Sequence, residues 1–422
     1  MQNFDEVDFF TDKSLVNDPH IYFDYLRSKG PVVFLPARGV YAVTGFDEGV
    51  AVFQNEDVFS SFNSSWGPKP LPFTPVGDDI NDLIEKHRGD DIAFQMISSL
   101  DPPAHTRLKS LLRGLITPKR LKENEEYMWG LADGLIDEFI GQGSVEFMSS
   151  YAKAYATLVI ADLLGVPEED RDEFRTIFQQ SMGLGMIDPS PQDAVHPLPL
   201  IAGKFFQYVM DRRANPRQDV LTSLAQMTYL DGELPGPDVV VALSTFLFAA
   251  GQETTVRVIG GMLRILAEDQ ALQAKIRADR SLIPVFIEET LRLESVLKTD
   301  YRLTRVRTKI GDVELEAGTP VMLCISAMNH DPRKFENPHA FNLDRPNVRD
   351  HAAFGRGVHA CVGAPLARAE LKVTLERLFD RTSHIGIDES RHGAEGSRTF
   401  TYDPSYVVRG LSELFLTLTP KS

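Results

Sequence analysis

The chain is short of cysteines and of positive charges. Its 422 residues include two cysteines, Cys324 and Cys361, which could form at most one disulfide. Two cysteines therefore argue against a disulfide-built secreted scaffold. The 44 Lys and Arg residues are outnumbered by 60 Asp and Glu residues, which gives a net charge of -16. Nucleic acid and anionic membranes are disfavoured as main partners, because both repel an acidic surface.

Long apolar runs and a leader sequence are also lacking. No run of apolar residues approaches the roughly 20 that span a bilayer. The first six residues, MQNFDE, have neither the basic region nor the apolar core of a signal peptide. We therefore expect a cytoplasmic protein that binds no nucleic acid and no membrane. A hydrophobic content of 43% and this length suffice to enclose a buried cofactor.

Helical patterns dominate the sequence. Apolar residues at three- and four-residue spacing predict helices over 123–140, 150–164, 281–295 and 364–379. A longer helix starts at Pro235, and its middle, 239–250, is apolar nearly all round, as in helices buried through a large domain. Short strands are predicted at 32–35, 41–43, 309–315 and 321–325. Coil is predicted for 331–351 and for the proline-rich loop 62–79.

Cys361 lies in a segment, FGRGVHACVG (354–363), that differs from an ordinary cysteine environment. Three glycines bracket it, which allows the backbone to pass close to a flat ligand. The helix that follows would direct its N-terminal amides at the sulfur and stabilise a thiolate. A phosphate-binding glycine loop has different spacing, and a catalytic cysteine would need a positioned base. Cys324, in an apolar strand-like run, is best explained as a small buried hydrophobic residue.

The pattern Phe-Gly-x-Gly-x-His-x-Cys-x-Gly resembles the haem-binding signature of the cytochrome P-450 family at every fixed position, Gly363 included. The resemblance implies haem b as cofactor, Cys361 as its iron ligand, Phe354 packed beside the thiolate and His359 bonded to a haem propionate. It also implies a mainly α fold with small β-sheets. A long central helix would lie over the haem, and residues 1–422 would form a single catalytic domain.

Two further motifs match this family. Glu289 and Arg292 share one helix face, and taken alone they would indicate a surface ion pair of little energetic value. The resemblance makes them, with Arg345, a buried structural triad that supports the cysteine loop. In the long helix, Gly251 and the polar residues after it interrupt an apolar stretch. Burying polar groups in a helix costs folding free energy, so such a run is expected where it serves a function. The hydroxyls could simply bond back to the preceding turn.

The resemblance implies that this helix opens locally where it faces the haem, and that Glu253 and Thr254 are the catalytic acid–alcohol pair. Thr254 would hold a water, and Glu253 would relay protons from solvent. His105 resembles the first member of a His-x-x-x-Arg pair that binds a propionate. Lys109 takes the arginine's place and keeps the charge without the bidentate fork. Arg302 is a further propionate candidate.

A basic island interrupts the acidic chain between residues 101 and 122. Its members are Arg107, Lys109, Arg113, Lys119, Arg120 and Lys122. These residues could be a solvated face. In the family's fold, however, this region borders the cysteine side of the haem, where Arg356 and Arg368 also lie. The island suits electrostatic docking of an acidic electron carrier. We expect an iron–sulfur ferredoxin with its reductase as partners of a monomeric protein.

We therefore predict a haem-thiolate monooxygenase that inserts one oxygen atom from O2 into a lipophilic small organic substrate. A haem-thiolate peroxygenase or isomerase would need no electron delivery, and a haem-based sensor or ligand-binding protein would not turn over. Glu253, Thr254 and the basic island favour the monooxygenase. Mostly apolar segments are the expected walls of the substrate pocket: 62–94, 184–187, 246–250, 296–297 and 406–407.

Overall fold

The computed structural model describes residues 4–112, 116–179, 186–187 and 198–421, and about half of the chain is helical. The α-helices are α1 (His20–Lys29), α2 (Phe46–Phe53), α3 (Asn81–His87), α4 (Ala104–Leu112), α5 (Pro118–Asp137), α6 (Lys153–Leu164), α7 (Arg171–Gln179), α8 (Leu198–Ala214), α9 (Val220–Ala225), α10 (Pro237–Glu268), α11 (Gln270–Ala278), α12 (Ile283–Glu294), α13 (Ile325–Met328), α14 (Ala364–Arg381) and α15 (Glu389–His392). The strands are β1 (Val32–Leu35), β2 (Val40–Val43), β3 (Phe59–Ser60), β4 (Ser144–Glu146), β5 (Asp300–Thr304), β6 (Thr308–Ile310), β7 (Val313–Leu315), β8 (Pro320–Leu323), β9 (Thr382–Ile387) and β10 (Phe415–Pro420). The expected class, mainly α with small β-sheets, is confirmed.

The residues at the first turn explain where two of the predicted helices begin. Helix α5 starts at Pro118 rather than at residue 123, because the Thr117 hydroxyl accepts the Arg120 N–H at 3.2 Å. Proline suits that first position, where no intrahelical donor is needed. Helix α10 uses Pro237 in the same way and so begins two residues after Pro235.

The described strands form a five-stranded sheet in the order β1-β2-β8-β5-β3, a three-stranded sheet β4-β10-β9 and a hairpin β6-β7. Strands β2 and β8 pair in parallel, and the other pairs are antiparallel. The predicted strand 309–315 is wrong as one strand, because Gly311 (φ 57°) turns it into the hairpin. Strand β8 ends at Leu323, since Ile325 already begins α13. Strand β5, which carries Arg302, was not predicted.

Helix α10 runs through the largest hydrophobic core and packs against α6, α8, α12 and α14. Contrary to the sequence expectation, its length and apolar composition would allow it to cross a membrane. However, 56% of its most apolar stretch is buried within the protein. Core helices have the same composition, so the observation agrees with the predicted buried central helix.

Candidate active site

The cysteine loop, residues 354–363, reaches α14 through two tight glycine turns. Gly355 and Gly357 have left-handed backbone conformations, with φ of 65° and 68°. A Cβ at Gly357 would collide with the carbonyl oxygen of Phe53 in α2, so a larger residue does not fit. The Cys361 N–H donates to the Phe354 carbonyl at 2.9 Å. This bond closes the loop and fixes the position of the cysteine.

The side chain of Cys361 borders a cavity of about 300 Å³ that is also lined by α4, α6, α10 and α14. Burial by the surrounding protein raises the pKa of the Cys361 thiol, and the hydrogen bonds from the N–H groups of Gly363 and Ala364 offset part of this increase. These are the donors expected at the start of the following helix. Cys324 lies buried beyond the end of β8, where burial raises the pKa of its thiol to about 12. The structure thus distinguishes the two cysteines as the sequence did.

Three predicted haem-binding side chains meet at one part of this cavity. The rings of His105 on α4 and His359 in the cysteine loop stack with centroids 3.9 Å apart. Arg302 on β5 lines the same cavity and donates to Asp300 at 2.8 Å. Burial lowers the pKa of His105 to about 4 with help from Lys109, and lowers that of His359 to about 2 with help from Arg302. Uncharged imidazoles and a cation therefore face the cavity together.

Lys109 lines the cavity as well, but its observed partners are in the cysteine loop. Its ammonium group donates to the carbonyl oxygens of Val358 and, at 2.9 Å, of Ala360. These bonds tie α4 to the loop just before Cys361. Lys109 therefore supports the loop directly and places a positive charge near the two histidines.

Helix α10 forms another wall and separates the predicted acid–alcohol pair. Thr254 borders the cavity, and its hydroxyl donates to the Ala250 carbonyl at 2.9 Å. The helix is continuous here, so the expected local opening is not observed, and the hydroxyl bonds back to the preceding turn. Glu253 lies outside the cavity lining and pairs with Arg257 at 2.9 Å, which also binds Asp403 at 2.6 Å. The acid therefore belongs to a chain of charges leading away from the cavity.

The chain matches known proteins over its whole length. The family model described as Cytochrome P450 matches residues 204–385. Substrate-free cytochrome P450 CYP150A6 of Mycobacterium marinum is 51% identical, with both chains covered completely and a TM-score of 0.93. Vitamin D(3) 25-hydroxylase of Pseudonocardia autotrophica is 32% identical over 416 residues, 96% of this chain and 95% of that protein. CYP109E1 of Bacillus megaterium in complex with corticosterone is 26% identical, with 96% and 99% coverage and a TM-score of 0.79.

The chain belongs to the cytochrome P450 family. Its members bind haem b and are oxidoreductases, and the cavity of this P450 fits that cofactor. Nδ1 of His105 and Nε2 of His359 are buried without a hydrogen-bond partner among the described residues. Such atoms cost about 1–3 kcal/mol each unless a ligand satisfies them. Haem propionates would do so, and Arg302 would balance their charge. Haem also needs a ligand for its iron, and the sulfur of Cys361 borders the same cavity.

Glu370 is a cavity residue that sequence reasoning missed. It is fully buried on α14, borders the cavity and accepts a hydrogen bond from the Thr255 hydroxyl at 3.2 Å. Burial raises the pKa of its carboxyl group to about 8, although the bond from Thr255 opposes this. One signal was available: Glu370 shares a helix face with Leu366 and Val373, which are buried. An acid on an apolar helix face is a candidate functional or strained site.

The Glu289 triad is buried rather than superficial. Arg292 binds both carboxylate oxygens of Glu289 at 2.8 Å, and Arg345 binds them at 3.0 and 3.1 Å. Arg292 also donates to the carbonyls of Asn329 and Pro338 at 2.9 and 2.7 Å. The two arginines thus hold the coil that precedes the cysteine loop, as the resemblance implied.

A second network, which the sequence did not reveal, reaches the loop itself. Arg368 on α14 bonds Glu288 on α12 at 2.5 and 2.9 Å, and its guanidinium group lies 4.7 Å from the centre of the Phe354 ring. His351 bonds Glu288 at 3.1 Å. Burial alone would raise the pKa of Glu288, but the bonds from Arg368 and His351 lower it to about 2. Arg368, which the sequence analysis placed beside the docking surface, is therefore paired with an acid of its own chain.

The apolar walls were predicted in part. Segments 246–250 and 296–297 border the cavity, together with Ile97, Ile160 and Leu163. Of the predicted wall 62–94, Ser64 borders the cavity, whereas Phe62 and Phe94 stack on each other at 4.2 Å in a separate core cluster. Segment 406–407 is also outside the described lining. Of the predicted wall 184–187, only 186–187 belongs to the described residues.

Proposed function

We propose that this P450 is a cytoplasmic monomer that uses Cys361 to bind the haem iron and oxidises a lipophilic organic substrate with electrons from a ferredoxin. All of residues 1–422 would form its one catalytic domain. One observation supports the assignment most directly: the Cys361 sulfur borders the cavity and accepts hydrogen bonds from the N–H groups of Gly363 and Ala364. The other cysteine, Cys324, is fully buried outside the cavity lining.

The cofactor would be held at two places. Cys361 binds the iron, and Phe354 packs beside it in the loop that Gly363 ends. His105, His359 and Arg302 bind the propionates, with the charge of Lys109 nearby. The bound haem supplies activation of dioxygen, for which a thiolate ligand favours O–O cleavage.

Protons would reach the cavity along α10. The Thr254 hydroxyl, which borders the cavity, would hold a water molecule beside the reacting centre. Glu253 would take protons from solvent directly, and Arg257, which also binds Asp403, would hold its carboxylate in position. The side chain of Asp403 is 32% exposed and that of Glu253 is 18% exposed, so the network reaches the surface. A relay needs a group at the cavity and a group in contact with solvent, and these residues supply both.

The substrate is proposed to be an apolar molecule of sterol size. Leu247, Ala250, Val296 and Leu297 give the cavity apolar walls, which bind ligands chiefly by burial of apolar area. The names of two relatives also point to sterol-like ligands: one is named a vitamin D(3) 25-hydroxylase, and the other was solved in complex with corticosterone. Sterol-like compounds are therefore the first to test.

The electron donor is proposed to be an acidic iron–sulfur ferredoxin with its reductase. Fewer cations of the basic island are available to a partner than the sequence suggested, because Arg107 is paired with Asp231 and Glu233. Arg113 lies outside the described residues. Lys119 and Lys122, at the start of α5, stay exposed, and α5 packs against α14, the helix that follows Cys361. This remaining patch is the proposed docking surface.

The proposal is tested by binding and turnover with one sterol panel. Binding of a fitting compound should shift the Soret band to shorter wavelength, and ferredoxin, reductase and NAD(P)H should then yield an oxygenated product. Labelled O2 should place one labelled atom in that product. Soret shifts without turnover would instead support a ligand-binding protein. Product formed with hydrogen peroxide and not with ferredoxin would support a peroxygenase, and an unlabelled rearranged product an isomerase.

A further inference from the structure

Three histidines from separate segments converge outside the lining of the haem cavity. His20 is the first residue of α1, His330 follows α13, and His339 lies in the coil beyond it. One nitrogen from each ring lies within 4.8 Å of the others. The ring centroids of His20 and His330 are 4.1 Å apart, and those of His330 and His339 are 5.0 Å apart.

We propose that His20, His330 and His339 bind one divalent transition-metal ion, with Zn²⁺ as the ion to test. Imidazole nitrogens bind zinc at about 2.0–2.1 Å, so two ligands of a tetrahedral site lie about 3.4 Å apart. The observed limit of 4.8 Å requires each ring to move by roughly 1 Å or less to reach that spacing. Three imidazoles are a common ligand set for zinc, copper and nickel.

The other contacts of two rings are those that metal-binding histidines usually make. Nδ1 of His330 lies 2.8 Å from the Ser326 carbonyl oxygen, which leaves its Nε2 for a metal. His339 lies 3.1 Å from a carboxylate oxygen of Asp24. Carbonyl and carboxylate partners of this kind orient a ligating ring and raise its basicity. Asp24 also supplies a negative charge beside the proposed ion.

The third ring, His20, has an unexplained buried atom. Its Nδ1 is buried without a hydrogen-bond partner among the described residues. A bound ion would satisfy a nitrogen that is otherwise costly to bury.

Two of the three cations that act on His20 are paired with acids. Arg27 forms an ion pair with Asp24, and Arg409 binds Glu294 at 2.8 Å. The third, Lys298, donates to the Ser405 carbonyl, and burial lowers the pKa of its ammonium group to about 7. Simple stacking of three imidazoles without an ion remains the competing explanation. It predicts no stoichiometric binding and gives no role to the orphan nitrogen of His20.

The ion would clamp α1 to the scaffold behind the cysteine loop. Asn329, next to His330, accepts the Ala352 N–H at 2.7 Å through its side chain and an Arg292 donor at 2.9 Å through its carbonyl. A metal at the three histidines would thus restrain the coil that the Glu289 triad also holds. The expected effect is on stability and not on the chemistry at the haem.

The test uses the haem-loaded full chain, free of any affinity tag and stripped with a chelator. Calorimetric titration with Zn²⁺ should show one ion per chain at micromolar affinity or tighter. At saturation the unfolding temperature should rise by about 2–5 °C, because a ligand that binds only the folded state stabilises it. X-ray absorption at the zinc edge should show imidazole nitrogens as ligands.

Two variants and one control decide the assignment. His339→Ala and His20→Ala should each weaken binding at least tenfold and abolish the thermal shift. His339 is half exposed, so that variant should fold normally. His384→Ala, an exposed histidine on β9, should bind as the native chain does. Unchanged affinity in both cluster variants, or only weak binding of several ions, would overturn the proposal.

Discussion

The two cysteines of this P450 differ in the properties that decide whether a thiol can bind a metal. Cys361 borders the cavity and has backbone donors directed at its sulfur, whereas Cys324 is fully buried with a pKa raised to about 12. Only a thiolate is a strong ligand, so burial without donors makes Cys324 inert. We expect Cys361→Ala to lose the long-wavelength band of the reduced carbon monoxide complex. Cys324→Ala should keep it, and a normal band in Cys361→Ala would contradict the ligand assignment.

Thr254 offers a test of proton delivery with a matched control on the same helix. Both Thr254 and Thr245 bond back to the carbonyl four residues earlier, at 2.9 and 2.8 Å, but only Thr254 borders the cavity. Thr254→Ala should bind haem and substrate normally, yet release severalfold more hydrogen peroxide per electron pair, because a water is no longer held in place. Thr245→Ala should keep native coupling. Equal coupling in both variants would remove Thr254 from the relay.

Glu370 should make stability depend on pH. Its carboxyl pKa is about 8 in the folded protein against an ordinary value of 4.5. Between these values the unfolded chain ionises while the folded chain keeps its proton, so this group lowers stability as pH rises from about 4.5 to 8. Glu370→Gln should therefore gain stability relative to the native chain by up to about 1.4 kcal/mol per pH unit in that window.

Urea unfolding of the haem-loaded protein between pH 5 and 8, followed at the Soret band, measures this difference. Glu376→Gln, a partly exposed glutamate on the same helix, serves as the control and should show no such trend. A constant offset between Glu370→Gln and the native chain across the range would show that the buried acid does not carry the dependence.

At the scale of elements, short sequence motifs predicted the cysteine loop and the Glu289 triad that supports it, but not strand β5 or the bridge between α12 and α14. The glycine spacing around Cys361 and the polar run at Glu253 are local signals, and both lie at the wall of the haem cavity or beside it. Arg302 lies on β5, whose sequence DYRLT alternates polar and apolar residues but is only five residues long. The structure buries both sets almost throughout, so Arg302 is not on a solvent-facing side as the alternation alone would suggest. The bridge from Arg368 to Glu288 joins residues 80 positions apart. Such long-range pairings are set by packing, which no short sequence window contains.

The Glu289 triad is the element-scale support with the largest predicted cost of removal. Glu289→Gln leaves two buried guanidinium groups without their carboxylate, which costs about 3–5 kcal/mol. Because Arg292 and Arg345 hold the coil before the cysteine loop, this variant should also retain much less haem per chain. Glu123→Gln breaks exposed pairs with Lys119 and Arg120 and should cost about 1 kcal/mol or less. Urea midpoints and haem content measure both, and equal effects would contradict a special role for the triad.

At the scale of the whole molecule, an acidic protein presents a small basic patch at the start of α5. With a net charge of -16, its surface on average repels an acidic carrier, so exposed cations that lie close together are where such a carrier can approach. Lys119 is 86% exposed, and its nearest acid, Glu123, is 3.8 Å away. Lys122 is exposed beside it. Charges of this kind act mainly on the rate of encounter and are screened by salt.

Replacing both Lys119 and Lys122 with glutamate should slow reduction by ferredoxin while the haem spectrum and the substrate-induced shift stay native. Reduction of the native protein should slow as salt rises, and the double variant should respond less, because its patch no longer attracts the carrier. The control variant replaces Lys275 on α11 and Lys421 with glutamate. The Lys421 N–H donates to the Arg381 carbonyl, at the end of α14 that lies away from Cys361. Both variants have the same net charge, so stopped-flow rates at low and high ionic strength separate a local docking surface from overall repulsion. Equal rates for the two variants would place the docking surface elsewhere.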